Sequence, residues 1–331
     1  MRQKIKAFFK ENWKFLSVLL AIVLVFRIEL PYKVYTPGGM VDLSKRVSVS
    51  EGYTHDGVLG MSYVSVVRGS LPFLLLSYII PDWDVVSESE ITYSNESFDE
   101  TFEADKILTQ QSIDGAIISA YKEAGKDVLI AKEVVHVTHI DTHAKTDLKL
   151  LDIILSVEGK SIKNTTDLKN IVSTHKDGDI IKMTILRDNE EKEVSSTIYN
   201  LNGEPKVGVV LAVTYEYEEQ PKAVIEMKES ESGPSGGLMM ALAIYNSLSE
   251  NDITKGAIVM GTGTIDINGN VGEIGGVRYK LIGAVKKKAK VFFVPEENYE
   301  EAIKVKNEKN YDIQIVAVKT FKEALEALDK L

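Results

Sequence analysis

The pattern of hydrophobic and polar residues changes along the chain, and each pattern predicts its own kind of helix or strand. Residues 15–26, FLSVLLAIVLVF, form an uncharged apolar run. Residues 31–100 contain strand-like patches at RVSVS, YVSVV and LPFLLLSYII, which are rich in apolar side chains. Residues 104–123 repeat isoleucine at helical spacing and stop before Gly125, which predicts a helix ended by a glycine.

The rest of the chain shows two successive patterns. Over residues 126–204, short strands such as VLIAKEVVHVTHI and IIKMTILRD surround one helix at TTDLKNIVSTH. From Val207 onward, strands such as VGVVLAVTY, AIVMGTGTI and VFFVP alternate with helices, which is an α/β pattern. A length of 331 residues suits roughly two domains, each able to bury its own core.

The N-terminal apolar run predicts a transmembrane helix. Five basic residues precede it, namely Arg2, Lys4, Lys6, Lys10 and Lys14. Twelve apolar residues are fewer than the roughly 20 that cross hydrocarbon, but Trp13 and the continuation to Leu30 lengthen the segment. A cleaved signal peptide is the alternative, although RIELPYKVYTPGG offers no small-x-small cleavage site. The basic flank places the N-terminus in the cytoplasm and the chain after about residue 31 outside.

Composition narrows the classes of function. The net charge of −10 argues against a nucleic-acid binder, because such proteins neutralise phosphates with basic residues. The chain has no cysteine, which excludes disulfides, thiol catalysis and cysteine-ligated metals.

Two further motifs are weak. Gly159-Lys160-Ser161 ends like a phosphate-binding loop, but Ile154 occupies the position of the required first glycine, so no ATP site is expected. HVTHIDTH suggests zinc, yet His136 and His139 alternate across a strand, and solvated edge histidines are the favoured interpretation. We therefore expect no metal and no cofactor.

The stretch 231–248, ESGPSGGLMMALAIYNSL, carries the chemistry. Ser235 lies between a proline and two glycines where an apolar helix begins. A serine at this place is most often a helix N-cap, but a cap does not explain four glycine and proline neighbours. A nucleophile does, because small neighbours let a substrate carbonyl approach and helix-start amides face the site. None of the five histidines lies in residues 207–331, which favours a buried lysine as the base.

Three motifs in order resemble the proteolytic domain of Lon-type proteases. They are GPSGG at residues 233–237, MGTGTIDINGNVGEIGGVRYKLIGA at 260–284 and VFFVPEEN at 291–298. The resemblance implies Ser235 as nucleophile and Lys280 as base, with Thr262 helping to hold the hydrogen bonds of this dyad. It also implies a supporting or oxyanion-binding role for three neighbours of the serine, which are Pro234, Gly236 and Gly237. Thr264 departs from the family, which often has an acidic residue there.

A fourth motif resembles bacterial PDZ domains. LDIILSVEGKSI, at residues 151–162, matches the element written G-D-x-I-x-x-V-x-G, with Leu151 where glycine is common. Together with the apolar N-terminus, the two resemblances point to the membrane-anchored Lon-like PDZ proteases of Gram-positive bacteria. They imply an α+β fold, in which a PDZ-like domain accompanies a Lon-type proteolytic domain behind one transmembrane helix.

The resulting domain prediction has five parts. Residues 1–12 are a cytoplasmic tail, 13–30 a transmembrane helix, 31–125 the N-terminal part of the Lon-like domain, 126–204 an inserted PDZ-like domain, and 205–331 the catalytic domain with the Ser-Lys dyad.

The expected activity is that of an ATP-independent, membrane-tethered serine endopeptidase at the outer face of the cell membrane. Its expected partners are protein or peptide substrates and a lipid bilayer, contacted through the N-terminal helix, with no nucleic acid and no ATP; oligomerisation is left open. The alternative is a catalytically inactive, membrane-anchored PDZ scaffold. A signal-peptidase-like Ser-Lys enzyme is a third hypothesis, which the motif order disfavours.

Overall fold

The computed structural model describes residues 2–91 and 97–331, including the side chains of residue 6 and of residues 8 onward. The described α-helices are α1 (Arg2–Arg27), α2 (Leu71–Ser77), α3 (Glu88–Ile91), α4 (Phe98–Glu123), α5 (Thr165–Val172), α6 (Gly237–Leu248), α7 (Val277–Lys286), α8 (Tyr299–Glu308) and α9 (Phe321–Asp329). Short 3-10 turns lie at Leu43–Lys45, Pro234–Gly236 and Glu296–Asn298.

The predicted α+β fold class is confirmed, since the structure combines these helices with β-strands. They are β1 (Glu29–Asp42), β2 (Val47–Val49), β3 (Val58–Ser70), β4 (Asp84–Ser87), β5 (Val128–Ile140), β6 (Lys145–Thr146), β7 (Ile153–Val157), β8 (Lys160–Ser161), β9 (Ile180–Arg187), β10 (Glu190–Thr197), β11 (Tyr199–Leu201), β12 (Glu204–Lys206), β13 (Val209–Glu219), β14 (Ala223–Ile225), β15 (Ile258–Gly261), β16 (Thr264–Ile265), β17 (Val271–Gly272), β18 (Val291–Pro295) and β19 (Gln314–Val318).

The chain divides into two compact units, and the first comprises residues up to Pro37 together with Val64–Ile91. Within it, β4 pairs antiparallel with β1. Lys33 Nζ lies 2.8 Å from a carboxylate oxygen of Glu88. The buried amine of Lys33 therefore has a counter-charge within its own unit.

The apolar patch LPFLLLSYII forms a helix at α2 rather than the predicted strand. Pro72 lies in the first turn, where its missing N–H costs no helical hydrogen bond. The four leucines have better helix propensity than the β-branched residues that favour strands. The apolar content was visible in the sequence, whereas the choice between helix and strand was not.

The structure does not support the predicted transmembrane helix at residues 13–30. α1 ends at Arg27 and β1 begins at Glu29, so the last predicted residues belong to a strand. The uncharged run inside α1 stops at twelve residues, which is short of the roughly 20 that a bilayer needs. Within residues 2–91 and 97–331, no helix is long and apolar enough to cross a membrane.

The second unit comprises the remaining described residues and contains a parallel sheet. In this sheet β15 lies between the beginning of β3 and β18, and β18 pairs with β19. Side chains alternate between its faces: Val259 packs with α4, α6 and α9, whereas Met260 packs with α7 and α8. The sheet is thus covered by helices on both faces.

α4 forms one of those covering helices, and the predicted helix is confirmed with an earlier start. It begins at Phe98 rather than residue 104, behind a capping box in which Ser97 and Glu100 satisfy each other's backbone amides. It ends just before Gly125, which has a φ of +64°. The glycine therefore supplies the left-handed backbone that ends the helix.

A second sheet of the same unit has the strand order β13-β5-β7-β9-β10-β6. Its buried face packs on α5 through Leu168 and Val172. β13 lies outside the range 126–204 that the sequence assigned to the PDZ-like domain, yet it pairs with β5 along most of its length. The strand that follows the predicted domain is thus part of its sheet.

The prediction that His136 and His139 are solvated edge residues is wrong. His136 and His139 are both buried, and β5, which carries them, is an inner strand between β13 and β7 rather than an edge strand. His136 Nε2 lies 2.8 Å from Thr214 Oγ1, and burial lowers the pKa of His136. Among the residues that the structure describes, no group of three or more histidine, aspartate or glutamate side chains is arranged to hold a metal ion.

Leu151 has a backbone conformation that favours glycine, with φ at +69°. Its side chain is 42% exposed, so truncation removes little buried surface. An L-residue in this region costs about 1–2 kcal/mol, and glycine gives back about 0.5–1 kcal/mol through the flexibility of the unfolded chain. We expect Leu151→Gly to unfold at a higher urea concentration than Leu151→Ala. Equal midpoints for the two variants would contradict this account of the strain.

Candidate active site

Ser235 lies in the 3-10 turn that precedes α6; we refer to residues 233–237 as the serine turn. The residue at the N-cap position of α6 is Gly236, and no side chain caps this helix. The 3-10 segment Pro234–Gly236 within the serine turn is preceded by Gly233, which has a φ of +104°. The simpler alternative, that Ser235 is a helix cap, does not describe this geometry.

The serine turn is fastened to the loop that follows β15. The carbonyl of Ser235 accepts hydrogen bonds from Thr262 Oγ1, at 2.9 Å, and from the amide of Gly263, at 2.8 Å. The amide of Leu238 donates to the carbonyl of Gly263 at 3.1 Å. Thr262, which is fully buried, therefore holds the backbone of Ser235 at the carboxyl end of β15.

Helix α4 holds the other side of the serine turn. Thr109 Oγ1 accepts a hydrogen bond from the amide of Gly233 at 2.7 Å. Ser112 Oγ donates to the carbonyl of Pro234, also at 2.7 Å. Neither residue was singled out from the sequence, because a hydroxyl on a helix carries no sign of a partner more than 120 positions away.

Gly236 and Gly237 are glycines for a steric reason that differs from the one expected. A Cβ at Gly236 would lie 1.9 Å from Met61 Sδ, and one at Gly237 would lie 2.4 Å from Ser112 Oγ. Side chains of the protein thus occupy the space where a Cβ would stand at these two residues. Their small size lets the turn pack against its supports.

Lys280 lies in the first half of α7 and is only 4% exposed. Burial lowers the pKa of Lys280 to about 8, and the nearby charge of Glu301 opposes this shift in part. About one molecule in ten then carries a neutral amine at pH 7. A lysine of this kind can accept a proton near neutral pH, as a general base must.

Two contacts show at which end of β15 Lys280 lies. The amide of Lys290, beyond the end of α7, donates to the carbonyl of Ile258 at the start of β15. Asn298, just past the end of β18, accepts from the amide of Ile274 at 2.9 Å and donates to its carbonyl at 3.0 Å. Because Ile274 precedes α7, the first turns of this helix lie toward the carboxyl ends of the strands, where Ser235 is held.

The site residues predicted from the sequence differ in how near the structure brings them to Ser235. Thr262 contacts Ser235 directly, and Lys280 lies toward the same edge of the sheet, where open α/β sheets commonly bind ligands. Within the described part of the chain, no hydrogen bond joins Lys280 to Ser235. Thr264 belongs to the β16-β17 hairpin, opposite Gly272. The motif Gly159-Lys160-Ser161 lies in the β7-β8 hairpin, not at the start of a helix.

Comparison with known families matches both parts of the chain. Residues 223–329 match the C-terminal proteolytic domain of Lon protease (S16), and residues 115–198 match the PDZ domain. The chain carries a Lon-type proteolytic domain and a PDZ domain. A Lon-type domain points to serine peptidase activity, and the first match includes Ser235, Thr262 and Lys280.

Similar proteins cover parts of this chain. The Lon protease of Campylobacter jejuni is 39% identical over 95 residues, which are 28% of this chain and 12% of that protein. The Lon protease of Helicobacter pylori strain J99 is 30% identical over 183 residues, which are 52% of this chain and 21% of that protein. Among solved structures, the PDZ domain of an SdrC-like protein from Listeria monocytogenes is 18% identical and covers 23% of this chain and 85% of that one, with a TM-score of 0.22.

Proposed function

We propose that the protein is a serine endopeptidase that uses Ser235 and Lys280 as a catalytic dyad and needs no ATP. The observation that carries the proposal is the buried amine of Lys280, with a pKa of about 8, toward the sheet edge at which Thr262 holds Ser235. Ser-Lys pairs are a recognised variant of nucleophile and base. The Lon-type match over residues 223–329 supports the same assignment.

In the proposed reaction, Ser235 Oγ attacks the carbonyl carbon of the scissile peptide bond while Lys280 Nζ takes the hydroxyl proton. The resulting oxyanion is held by the amides of Ser235 and Gly236, because the amide of Gly237 already donates to the carbonyl of Pro234. Lys280 then gives its proton to the leaving amine, which breaks the C–N bond and leaves an acyl-serine. Water, deprotonated by Lys280, hydrolyses this ester and restores the hydroxyl.

The proposed independence from ATP is supported by the place of the motif Gly159-Lys160-Ser161 in the fold. The backbone amides of a phosphate loop must face the ligand ahead of a helix, whereas Lys160 and Ser161 form a strand of a hairpin. Without nucleotide-driven unfolding, the substrates are loosely folded proteins or exposed segments. The PDZ domain selects such segments or gates their access, through strand addition at a sheet edge.

The proposed location and lipid contact stay predictions of the sequence. The substrates that we expect are exported or membrane-associated proteins or peptides.

The experiment that tests the proposal compares cleavage by the full chain and by Ser235→Ala. Each is incubated with a mixture of exported proteins, with and without ATP and Mg²⁺, and new N-termini are identified by mass spectrometry. We expect new termini only with the wild-type chain, in equal amounts with and without nucleotide. Identical termini from both chains would reject the dyad, and no new termini from either would favour the inactive scaffold.

A further inference from the structure

Helix α4 presents two hydroxyl groups to the peptide groups that lead into Ser235. Thr109 and Ser112 are one helical turn apart, so their side chains lie on the same face. Thr109 Oγ1 also donates to the carbonyl of Asp105 at 2.7 Å. That bond uses its only proton and leaves a lone pair for the amide of Gly233.

These contacts fix the backbone on the N-terminal side of the serine. The amide of Gly233 and the carbonyl of Pro234 are held by α4, while the carbonyl of Ser235 is held by Thr262 and Gly263. Gly233 has a φ of +104° and no neighbour within 4 Å of the position where a Cβ would stand. Among the described residues no atom packs at that position, and the hydrogen bond of its amide to Thr109 is the tertiary contact that holds Gly233.

The opposite side of α4 is itself anchored. Gln111 Oε1 accepts from the amide of Val213 at 3.0 Å, and Asp114 Oδ2 accepts from the amide of Tyr215 at 2.8 Å. Gln110 Nε2 donates to the other oxygen of Asp114 at 2.8 Å. α4 is therefore tied to β13, and its two hydroxyls have a fixed position from which to hold the serine turn.

We propose that Thr109 and Ser112 are positioning residues for the nucleophile. This inference rests on the proposed peptidase function. The two hydroxyls hold the backbone before Ser235 so that Oγ faces the scissile carbonyl. They contact neither Lys280 nor the reacting atoms, so they act on the rate constant of the acylation step and leave the proton affinity of the base unchanged.

The test measures fluorophosphonate labelling of Ser235 in the full chain as a function of probe concentration. We expect Thr109→Val and Ser112→Ala each to lower the maximal labelling rate about tenfold, with half-saturation within about twofold, because small misplacements of a nucleophile cost rate more than binding. The midpoint of the pH–rate profile should stay near 8. Thr109→Ser should recover most of the lost rate. Ser119→Ala is the matched control, since the hydroxyl of this buried residue donates within its own helix, to the carbonyl of Ala116.

Hydrogen exchange of the Gly233 amide provides a second measurement that does not need activity. We expect protection in the wild type and in Thr109→Ser, and faster exchange in Thr109→Val. An amide that exchanges in the wild type as fast as in an unstructured peptide overturns the inference, as do unchanged labelling rates in Thr109→Val and Ser112→Ala. A shifted pH midpoint would also overturn it. A wild-type chain that protects Gly233 but never labels rejects the proposed peptidase function instead.

Discussion

Replacing Ser235 by alanine is expected to abolish proteolysis while leaving the fold intact. Loss of a serine nucleophile lowers turnover by several orders of magnitude in enzymes of known mechanism, so we expect at least about a thousandfold decrease. The fold should persist because Ser235 is held through its carbonyl, which alanine retains, and because its side chain caps no helix. The measurement is the release of fluorescent fragments from labelled casein, together with the melting temperature of both proteins.

Ser232→Ala is the matched control for this substitution. Ser232 lies three residues earlier, is half-buried like Ser235, and precedes the serine turn rather than forming part of it. We expect the control to digest casein at the wild-type rate. A Ser235→Ala protein that retained more than about a tenth of the wild-type turnover would show that another group performs the attack.

The serine turn was predictable from the sequence because its packing constrains residue types. A Cβ at Gly236 or Gly237 would displace Met61 or Ser112, which favours glycine at both positions, and a run of glycines around one serine is visible in the sequence. The steric reason for these glycines differs from the one inferred from the sequence. Glycines expected to admit substrate instead admit neighbouring side chains of the protein.

The supports of the site were not predictable in the same way. Thr109 and Asn298 are common polar residues, and they support the site through hydrogen bonds to residues that the tertiary fold brings near. β13 presents a similar case, since its alternation fits either sheet and only its pairing with β5 decides between them. Local patterns indicate which elements form, whereas tertiary contacts decide what each element holds in place.

Proteolysis is expected to depend strongly on pH, because Lys280 is the proposed base. The base must be neutral to accept the proton of Ser235, and burial holds the pKa of Lys280 at about 8. Activity should therefore rise about tenfold per pH unit below that value and level off above about pH 9. Casein digestion across pH 6–10 measures this profile, and a profile that is flat between pH 6 and 9 would remove Lys280 from the mechanism.

Replacing Lys280 by methionine should lower turnover at least about a thousandfold and yet stabilise the protein. The amine has a pKa of about 8 when folded, against an ordinary value of 10.5. Below pH 8 the folded state therefore carries a buried charge, which costs about 3 kcal/mol relative to the unfolded chain. Methionine fills similar space without that charge, so we expect the free energy of unfolding at pH 7 to increase by about this amount.

The change of stability with pH gives a further check on the same variant. Between about pH 8 and 10.5 the unfolded chain binds a proton at this lysine and the folded chain does not, so wild-type stability should rise with pH across that window. In Lys280→Met this contribution disappears. Lys286→Met, at an exposed lysine in the last turn of the same helix, should leave both turnover and stability near the wild-type values. If Lys280→Met were inactive but less stable than the wild type at pH 7, the buried amine would have a favourable partner when charged, and its role as a neutral base would have to be abandoned.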